Sequence, residues 1–292
     1  MPESLPVPLK IAVLIKQVPD TGAKAGVNPD GTIDRAKAKR MMNPFDKFAL
    51  QAALHTKKTY GSASAPVTVT AISMGPPPAT EILLEAIEHG ADKGILLSDR
   101  RLAASDTLAT SYALHKTLLY AGPFDLVFCG LQTTDGDTAQ VGPQLAERLD
   151  LSQVTYCEDF RLEKSLAGEG IHLVARRVIE GGYQWLQASL PALVTVANSY
   201  HHLEYKSIQG ARLAQRLMRD DALKAQYIET VTLDTVNADE KLSGLRGSPT
   251  IVGKTWKVGE VGGSCVVRQG MPVEAMVASV MNLKPVKELV AH

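Results

Sequence analysis

The first two-thirds of the chain alternate short runs rich in β-branched residues with segments whose apolar residues recur at helical spacing. The extended runs begin at Leu9, Pro66, Lys93 and Phe124. Parallel strands need long crossover connections, which are usually helices, so this alternation indicates a mostly parallel sheet with helices on both faces. We therefore predict an α/β fold with a doubly wound, mostly parallel sheet.

The signals for helix ends between these runs agree with that fold. Asn43 is expected to cap a first helix, with Pro44 at its first position, where a missing N–H is tolerated. A second helix should end at Gly90, and a third should begin from Ser105 as its cap. The second helix has one apolar face, which consists of Ile82, Leu83, Ala86 and Ile87.

The pattern changes in the last third of the chain. Residues 171–197 indicate two extended segments around a turn at Gly181-Gly182, followed by a further strand, and so predict an antiparallel addition to the sheet. A final helical segment is expected from about Pro272 to Ala291. We predict an α/β domain over residues 1–220 and an extended C-terminal arm over residues 221–292. The arm either packs on its own domain or reaches across to another subunit.

The composition argues against several classes of binding partner. With 31 basic and 31 acidic residues the chain has a formal net charge of zero, so no overall field selects nucleic acid or a membrane surface. Its apolar runs are shorter than the roughly 18 residues that span a bilayer, and the first ten residues do not have the pattern of a signal peptide. We therefore expect a cytoplasmic protein that does not bind nucleic acid or insert directly into a membrane.

The sequence offers no motif for catalysis or for metal binding. Cys129, Cys157 and Cys265 form no C-x-x-C pair, which is typical of free thiols in a reducing compartment. The histidines have no ligand spacing, and no serine lies in a G-x-S-x-G motif. We predict no catalytic residue and no metal ligand, a pattern that suits a cofactor holder or carrier better than a hydrolase.

One segment, Gly130–Val141, combines small and polar residues at the end of a strand and the start of a helix. Open α/β sheets bind ligands at this place. Two interpretations stay open: Asp137 and Gln140 form a capping box, or the small residues and free N–H groups hold a phosphate. The two aspartates would then bond to backbone or ribose rather than face the phosphate. The buried stripe of the following helix is expected to consist of Val141, Leu145 and Leu149.

A second segment, Tyr205–Arg219, is basic and contains no acidic residue. Its arginines Arg212, Arg216 and Arg219 fall on one side of a predicted helix, with Leu213, Leu217 and Met218 on the other. This is either an ordinary solvated face or a docking element, in which Ile208 serves as an apolar anchor beside a steering charge.

Several ordered stretches together resemble the beta subunit of electron-transfer flavoproteins. They are "KIAVLIKQVPDT", "MNPFDKFALQAAL", "AISMGPPPATEILLEAIEHGADKGI", "DGDTAQVGPQLAERL" and "IEGGYQ" with "LPALVTV", and the resemblance covers roughly Lys10 to Arg216. It implies a doubly wound α/β domain of the adenine-nucleotide-binding type without independent catalysis. It also implies an alpha-subunit partner that supplies most of the site for a redox-active FAD, with the C-terminal arm helping to hold the heterodimer.

The same resemblance assigns a pocket for an adenine nucleotide, either FAD or AMP. The respiratory members hold AMP and carry Asn-Gln-Thr where this chain has Ala139, Gln140 and Val141. The form "DGDTAQVGP" is more similar to members that hold a second FAD and split the two electrons of NADH, so FAD ranks above AMP. The pocket residues are expected to be Leu14, Asn43, Pro44, Phe45, Asp46, Met74, Gly130, Leu131, Gln132, Thr133, Thr134, Asp135, Gly136, Asp137, Thr138, Ala139, Gln140 and Val141.

The resemblance also implies electron-transfer partners. Ile208 takes the position of the family's apolar anchor, although Ile208-Gln209 replaces the usual Leu-Pro, and Arg212 and Arg216 belong to the basic part. The expected partners are a flavin dehydrogenase such as an acyl-CoA dehydrogenase, with NADH and ferredoxin or a quinone oxidoreductase in the bifurcating case. The competing hypotheses are a stand-alone adenine-nucleotide-binding module without a redox role, and a scaffold whose pocket is empty.

Overall fold

The computed structural model describes residues 8–20, 39–164, 170–251 and 272–282. The chain forms two compact units, Met1–Ile251 and Val252–His292. The strands are β1 (Leu9–Leu14), β2 (Gln17–Pro19), β3 (Arg40–Met42), β4 (Val67–Met74), β5 (Lys93–Leu97), β6 (Leu126–Gly130), β7 (Ser152–Lys164), β8 (Ile171–Ile179), β9 (Gly182–Ser189), β10 (Ala192–Val196) and β11 (Ile228–Val231). The helices are α1 (Pro44–Tyr60), α2 (Thr80–His89), α3 (Thr107–Ala121), α4 (Val141–Leu149), α5 (Ile208–Arg219), α6 (Asp221–Tyr227) and α7 (Val273–Met281).

The first unit is organised around a nine-stranded sheet with the order β11-β5-β4-β1-β6-β10-β7-β8-β9. Strands β11 to β7 in that order pair in parallel, whereas β7, β8 and β9 pair antiparallel. The short strands β2 and β3 form a separate antiparallel pair. The predicted α/β fold with a mostly parallel sheet and an antiparallel addition is confirmed.

The sheet is covered on both faces because successive side chains of a strand point to opposite sides. In β1, Ile11 and Val13 belong to the apolar cluster that contains the buried faces of α1 and α2. Ala12 and Leu14 belong to the other cluster, which contains the buried residues of α3 and α4. Every residue of the central strand β10 is buried, as expected for a strand covered on both sides.

The predicted helix ends are correct in part. The apolar face predicted for α2 is buried, and the helix ends at Gly90, whose φ of 125° suits glycine. The cap predicted for α3 is wrong by one residue. Asp106 caps the helix, since its carboxylate accepts a hydrogen bond from Ala109 N at 3.0 Å, while the Ser105 hydroxyl donates to the carbonyl of Leu102.

Strand β7 is not predicted by the sequence, although it is the longest strand described. It carries charged residues along its length, and only a few of its residues are buried. Its regularity is interrupted at Tyr156, where φ is 58°, and by a register shift against β8 between Cys157 and Asp159. A half-exposed strand with a bulge lacks the continuous apolar run that identifies β1 or β10.

The first unit extends beyond the boundary predicted at residue 220. Strand β11 pairs in parallel with β5, and its last residue, Val231, and the following Leu233 are fully buried. The unit ends at Ile251, so residues 221–251 lie in the same compact unit as the sheet. The sequence does not predict β11, because this strand has only four residues and two of them, Glu229 and Thr230, are exposed and break the apolar run.

The end of this unit is fastened to the start of α3. The Asp106 carboxylate, besides capping α3, accepts hydrogen bonds from the backbone N and the hydroxyl of Thr250, at 3.1 and 2.8 Å. The Ser248 hydroxyl accepts a hydrogen bond from Asp106 N at 2.8 Å. One partly exposed turn therefore joins the last residues of the unit to the amino end of a helix.

In the second unit the described residues form helix α7, inside the predicted segment from Pro272 to Ala291. The remainder of that segment, from residue 283 onward, lies outside the described residues. No helix within the described ranges is long and apolar enough to cross a membrane.

Helix α5 provides a test of the core. Leu217 is fully buried in the cluster under α1 and α2, whereas its neighbour Met218 is exposed. We expect Leu217→Ala to lower the free energy of unfolding by about 2 to 5 kcal/mol, because it removes buried methyl groups and leaves a cavity. The matched variant Met218→Ala should change it by less than about 0.5 kcal/mol. Urea unfolding of both variants measures this, and equal losses would contradict the packing described for α5.

Candidate functional site

The candidate site lies at the carboxyl ends of β1 and β6, which are neighbours in the sheet. Within the sheet, β1 lies between β4 and β6. The helices that follow β1 and β6, α1 and α4, cover opposite faces. The loops therefore diverge, and a crevice opens between them of the kind that binds ligands in doubly wound folds.

The structure brings the predicted pocket residues to this one edge of the sheet. Leu14 ends β1, Met74 ends β4, and Gly130 ends β6. Asn43 to Asp46 form the start of α1, and residues 131–140 form the loop between β6 and α4. Leu14, Asn43 and Asp46 are buried, while Thr134, Asp135, Gly136, Asp137 and Thr138 are exposed at the loop tip.

Asn43 holds this loop against the start of α1. It occupies the predicted cap position, but its side chain makes no capping hydrogen bond. Its amide instead donates to the carbonyl of Gln132 at 2.8 Å and accepts from Thr134 N at 3.2 Å, and its backbone N donates to the carbonyl of Lys16. Because Asn43 is fully buried, these bonds fix the relative position of both loops.

Gly130 permits the close approach of β6 and α1. A Cβ atom at this position would overlap the Asp46 carboxylate and lie 2.7 Å from the carbonyl carbon of Phe45. Gly142 plays the same part for α4, since a Cβ there would lie 2.6 Å from Thr195 Cγ2 and 2.9 Å from Cys129 Sγ. Both glycines are therefore required by packing around the crevice.

Asp46 is a buried carboxylate beneath the crevice. Its Oδ2 accepts a hydrogen bond from Lys16 N at 2.7 Å, and it also bonds with the Asn43 side chain and the backbone of Gly130. Burial raises the pKa of Asp46 to about 7, although these bonds and the nearby Lys16 charge act to lower it. The group therefore titrates near neutral pH while it connects the ends of β1, β6 and α1.

The predicted capping box of α4 is wrong. Helix α4 begins at Val141, and Gln140 takes the cap position without a side-chain capping bond. The Asp137 carboxylate accepts from the side-chain amide of Gln132, and the Asp137 backbone N donates to the carbonyl of Thr133 at 2.8 Å. The Gln140 side chain accepts from the Thr107 hydroxyl at 2.9 Å instead. Local hydrogen bonds within the loop thus compete successfully with capping.

The buried stripe of α4 also differs from the prediction. Leu145 is fully buried as predicted, but the other buried residues are Gly142 and Ala146. Val141 and Leu149 are only half-buried at the edge of the apolar cluster. The helix turns its smallest residues inward because α4 packs directly on β6 and β10, as Gly142 shows.

The loop leaves an anion-binding arrangement at the amino end of α4. Asp137 and Ala139 have φ values of 53° and 54°, in the left-handed region, and Gln140 follows with φ −97° and ψ −29°. Alternation of this kind turns successive backbone N–H groups toward one side, and the helix dipole adds a partial positive charge. The chemistry that this arrangement supports is binding of a phosphate or another anion.

Lys16 is a site residue that sequence reasoning missed. It follows β1, and its Nζ lies 2.8 Å from both carboxylate oxygens of Asp135. Burial would raise the pKa of Asp135, but the bonds to Lys16 and Thr133 bring it below the usual value. Its position directly after the first strand, in "VLIKQ", is the signal that could have identified Lys16, because ligands of doubly wound folds bind at the carboxyl ends of strands.

The predicted docking residues lie on a different part of the molecule, on α5, which contacts α2. Ile208 is 75% exposed at the first position of α5, and Arg212 and Arg216 are exposed along it. Ser207 caps the helix by accepting from Gly210 N at 3.0 Å. Met218, which the sequence places on the side of the helix away from the arginines, is exposed too.

A cleft of about 530 Å³ lies at the opposite edge of the sheet, near the amino ends of β1, β4 and β5. Its lining includes Lys10, Lys93, Tyr120 and Glu229, and it contains none of the predicted pocket residues. Since ligands of doubly wound folds bind at the carboxyl ends of the strands, we place the candidate site in the crevice.

The fold defines the chain as a doubly wound α/β protein with a crevice between the loops that follow β1 and β6. Residues 30–217 match the family model described as "Electron transfer flavoprotein domain". The chain is 39% identical over 257 residues to the acryloyl-CoA reductase electron transfer subunit gamma of Anaerotignum propionicum, covering 85% of this chain and 88% of that protein.

Two further relatives have the same extent of similarity. Protein FixA of Sinorhizobium fredii is 42% identical over 252 residues, which cover 84% of this chain and 81% of that protein. The electron transfer flavoprotein subunit beta of Megasphaera elsdenii is 37% identical over 267 residues, which cover 89% and 92%. The chain belongs to the electron transfer flavoprotein family and is an electron-transfer subunit of the beta type.

The buried carboxylate of Asp46 predicts an unusual pH dependence of stability. Its pKa in the folded protein is about 7, above the ordinary value of 3.8, so the folded state binds the proton more tightly than the unfolded state. Stability linked to Asp46 is therefore present at low pH and is lost as pH rises toward 7. The free energy of unfolding of the wild type, relative to Asp46→Asn, should fall by about 4 kcal/mol between pH 4 and pH 8.

Urea unfolding at several pH values measures this difference. Asp125→Asn is a matched control, because it removes a carboxylate that accepts a backbone N–H of β1 from Lys10, at the other end of the strand. Parallel stability curves for the wild type and Asp46→Asn would show that Asp46 does not titrate in this range.

Proposed function

We propose that this chain binds an adenine nucleotide in the crevice between β1 and β6 and, in a heterodimer with an alpha subunit, passes electrons between a dehydrogenase or NADH and a redox acceptor. The observation that carries the proposal is the loop from Gly130 to Val141, fixed by buried Asn43 and open at the amino end of α4. Such a loop meets the needs of a phosphate group, because its backbone N–H groups and the helix dipole act together.

The residues present fit an adenylate group. Small residues at Gly136 and Ala139 would allow a ligand to approach the backbone closely, and the Ala139-Gln140 turn would supply N–H donors. Leu14 and Met74, at the ends of β1 and β4, would contact the base, and the exposed Asp137 would bond to the ribose. The same donor set would hold the adenylate half of FAD or the whole of AMP.

We propose FAD rather than AMP as the occupant. Ala139 and Val141 replace the Asn and Thr that are typical of members with AMP, and the form "DGDTAQVGP" is similar to members with a second FAD. In that case the heterodimer would hold two flavins and split the two electrons of NADH between two acceptors. With AMP in this pocket, the single FAD would be held mainly by the alpha subunit.

The chemistry of electron transfer would belong to the flavin, and this chain would bind, orient and dock. A bound flavin supplies reversible electron acceptance that no protein side chain provides. Asn43, Asp46 and Gly130 would keep the loop in one geometry, so that the bound group has a fixed distance to the partner. This agrees with the absence of a catalytic motif from the sequence.

Exposed side chains of each unit support the proposed partners. Helix α7 carries exposed apolar side chains at Val273, Val277 and Val280, which suits the proposed packing of the C-terminal arm on an alpha subunit. Ile208 with Arg212 and Arg216 suits docking to a flavin dehydrogenase such as an acyl-CoA dehydrogenase. Ferredoxin or a quinone oxidoreductase would be the acceptor.

The nucleotide content of the purified complex tests the proposed function. We expect the chain, coexpressed with its alpha subunit and purified gently, to form a yellow heterodimer. Chromatography of the nucleotides released by denaturation should give two FAD and no AMP per heterodimer. One FAD plus one AMP would overturn the FAD assignment alone. A stable monomer that binds ATP without flavin would overturn the electron-transfer role and favour a stand-alone nucleotide-binding module.

Docking through Ile208 has a separate test. Ile208→Ala should lower the second-order rate constant for electron transfer to the partner dehydrogenase about tenfold, because it removes an exposed apolar anchor of the kind that dominates interfaces. The bound nucleotide should be unchanged, because α5 does not contribute to the crevice. Met218→Ala, which truncates another exposed side chain of α5, is the control. Stopped-flow kinetics that are equal for Ile208→Ala and the wild type would exclude the docking role.

A further inference from the structure

Lys16 is fixed at the rim of the crevice by its backbone. Its N donates to Asp46 Oδ2 at 2.7 Å, and its carbonyl accepts from Asn43 N at 2.8 Å. Both partners are buried at the start of α1. The Cα of Lys16 therefore has a defined position beside the loop that follows β6, and its side chain starts from the edge of the candidate phosphate site.

The ammonium group of Lys16 crosses the crevice. Nζ is 2.8 Å from both oxygens of Asp135, and the two side chains are 45% and 36% exposed. Lys16 follows β1 and Asp135 follows β6, so this ion pair connects the two loops that diverge at the switch point. Exposed ion pairs contribute only about 0 to 1 kcal/mol, and this pair can therefore be exchanged at little cost.

The charges of the loop require such an exchange if a phosphate binds. Asp135 and Asp137 both lie in the loop that precedes α4 and would repel a phosphate bound there. Asp137 is engaged by the Gln132 side chain, and Asp135 is engaged by Lys16. A phosphate that replaces Asp135 as the partner of Lys16 would gain a charge-assisted hydrogen bond, and the exposed Asp135 would return to water.

We propose that Lys16 is a further ligand-binding residue of the crevice, which contacts a phosphate oxygen of the bound nucleotide, and that Asp135 holds its ammonium in place and competes with that phosphate. This inference rests on the proposed function and adds to it the residue that selects phosphorylated ligands. Lys16 gives the site affinity for phosphate over the unphosphorylated nucleoside, and Asp135 limits that affinity.

The test compares AMP with adenosine, which share the base and ribose. The heterodimer, freed of bound nucleotide, is titrated with each ligand by calorimetry. Lys16→Met should weaken AMP binding about tenfold and leave adenosine binding unchanged, because a charge-assisted hydrogen bond to phosphate is lost. Asp135→Asn should strengthen AMP binding about threefold, because the competing carboxylate is removed. Lys16→Arg should keep most of the preference for AMP.

Lys10→Met is the matched control, because Lys10 lies at the end of β1 that is remote from the crevice. The inference is overturned if Lys16→Met leaves the ratio of AMP to adenosine affinity at the wild-type value, or if Asp135→Asn weakens AMP binding. A wild-type heterodimer that binds neither ligand would instead overturn the proposed nucleotide site itself. Circular dichroism of each variant separates these outcomes from a failure to fold.

Discussion

The geometry of the crevice depends on two polar side chains buried at the start of α1, Asn43 and Asp46. Both take their partners from loops that are remote in sequence, the one after β1 and the one after β6. A buried amide or carboxylate without a hydrogen-bond partner would cost free energy. The two loops are therefore held at the positions where they supply hydrogen bonds to Asn43 and Asp46. The apolar sheet supports the site, but this polar contact sets the distance between its two sides.

Gly130 makes that contact possible, because any side chain at the end of β6 would displace the first turn of α1. The scaffold is thus rigid where the loops begin and open where they face solvent, from Thr134 to Thr138. Rigid supports with exposed loops are typical of binding sites, since a defined backbone lowers the entropy lost when a ligand binds.

The sequence predicts the centre of the fold well and its margins poorly, for physical reasons. Strands such as β1 and β10 are buried on both faces and therefore appear as continuous apolar runs. Strands β7 and β11 lie where one side meets solvent or charge, and their mixed composition hides them. For the same reason the sequence does not show that the first unit continues past residue 220.

For the candidate site too, the sequence predicts one part and leaves another unpredicted. Position and small residues suffice to locate the loop from Gly130 to Val141, because the place of ligand sites in doubly wound sheets is general. The partners of its polar side chains do not follow from residue types. Asp137 bonds to Gln132 rather than capping α4, and Lys16 meets Asp135 across 119 positions of sequence. Only the folded arrangement determines such long-range pairs.

The shared use of Asp106 has a mechanical consequence. One carboxylate both caps α3 and holds Thr250, close to where the first unit ends at Ile251. The next residue of α3, Thr107, touches Gln140 at the mouth of the crevice. Tension applied to the chain at residue 251 would therefore act first on the cap of α3 and, through one hydroxyl, on the loop that faces the ligand. The end of the first unit and the mouth of the crevice are therefore connected through Asp106 and the first turn of α3.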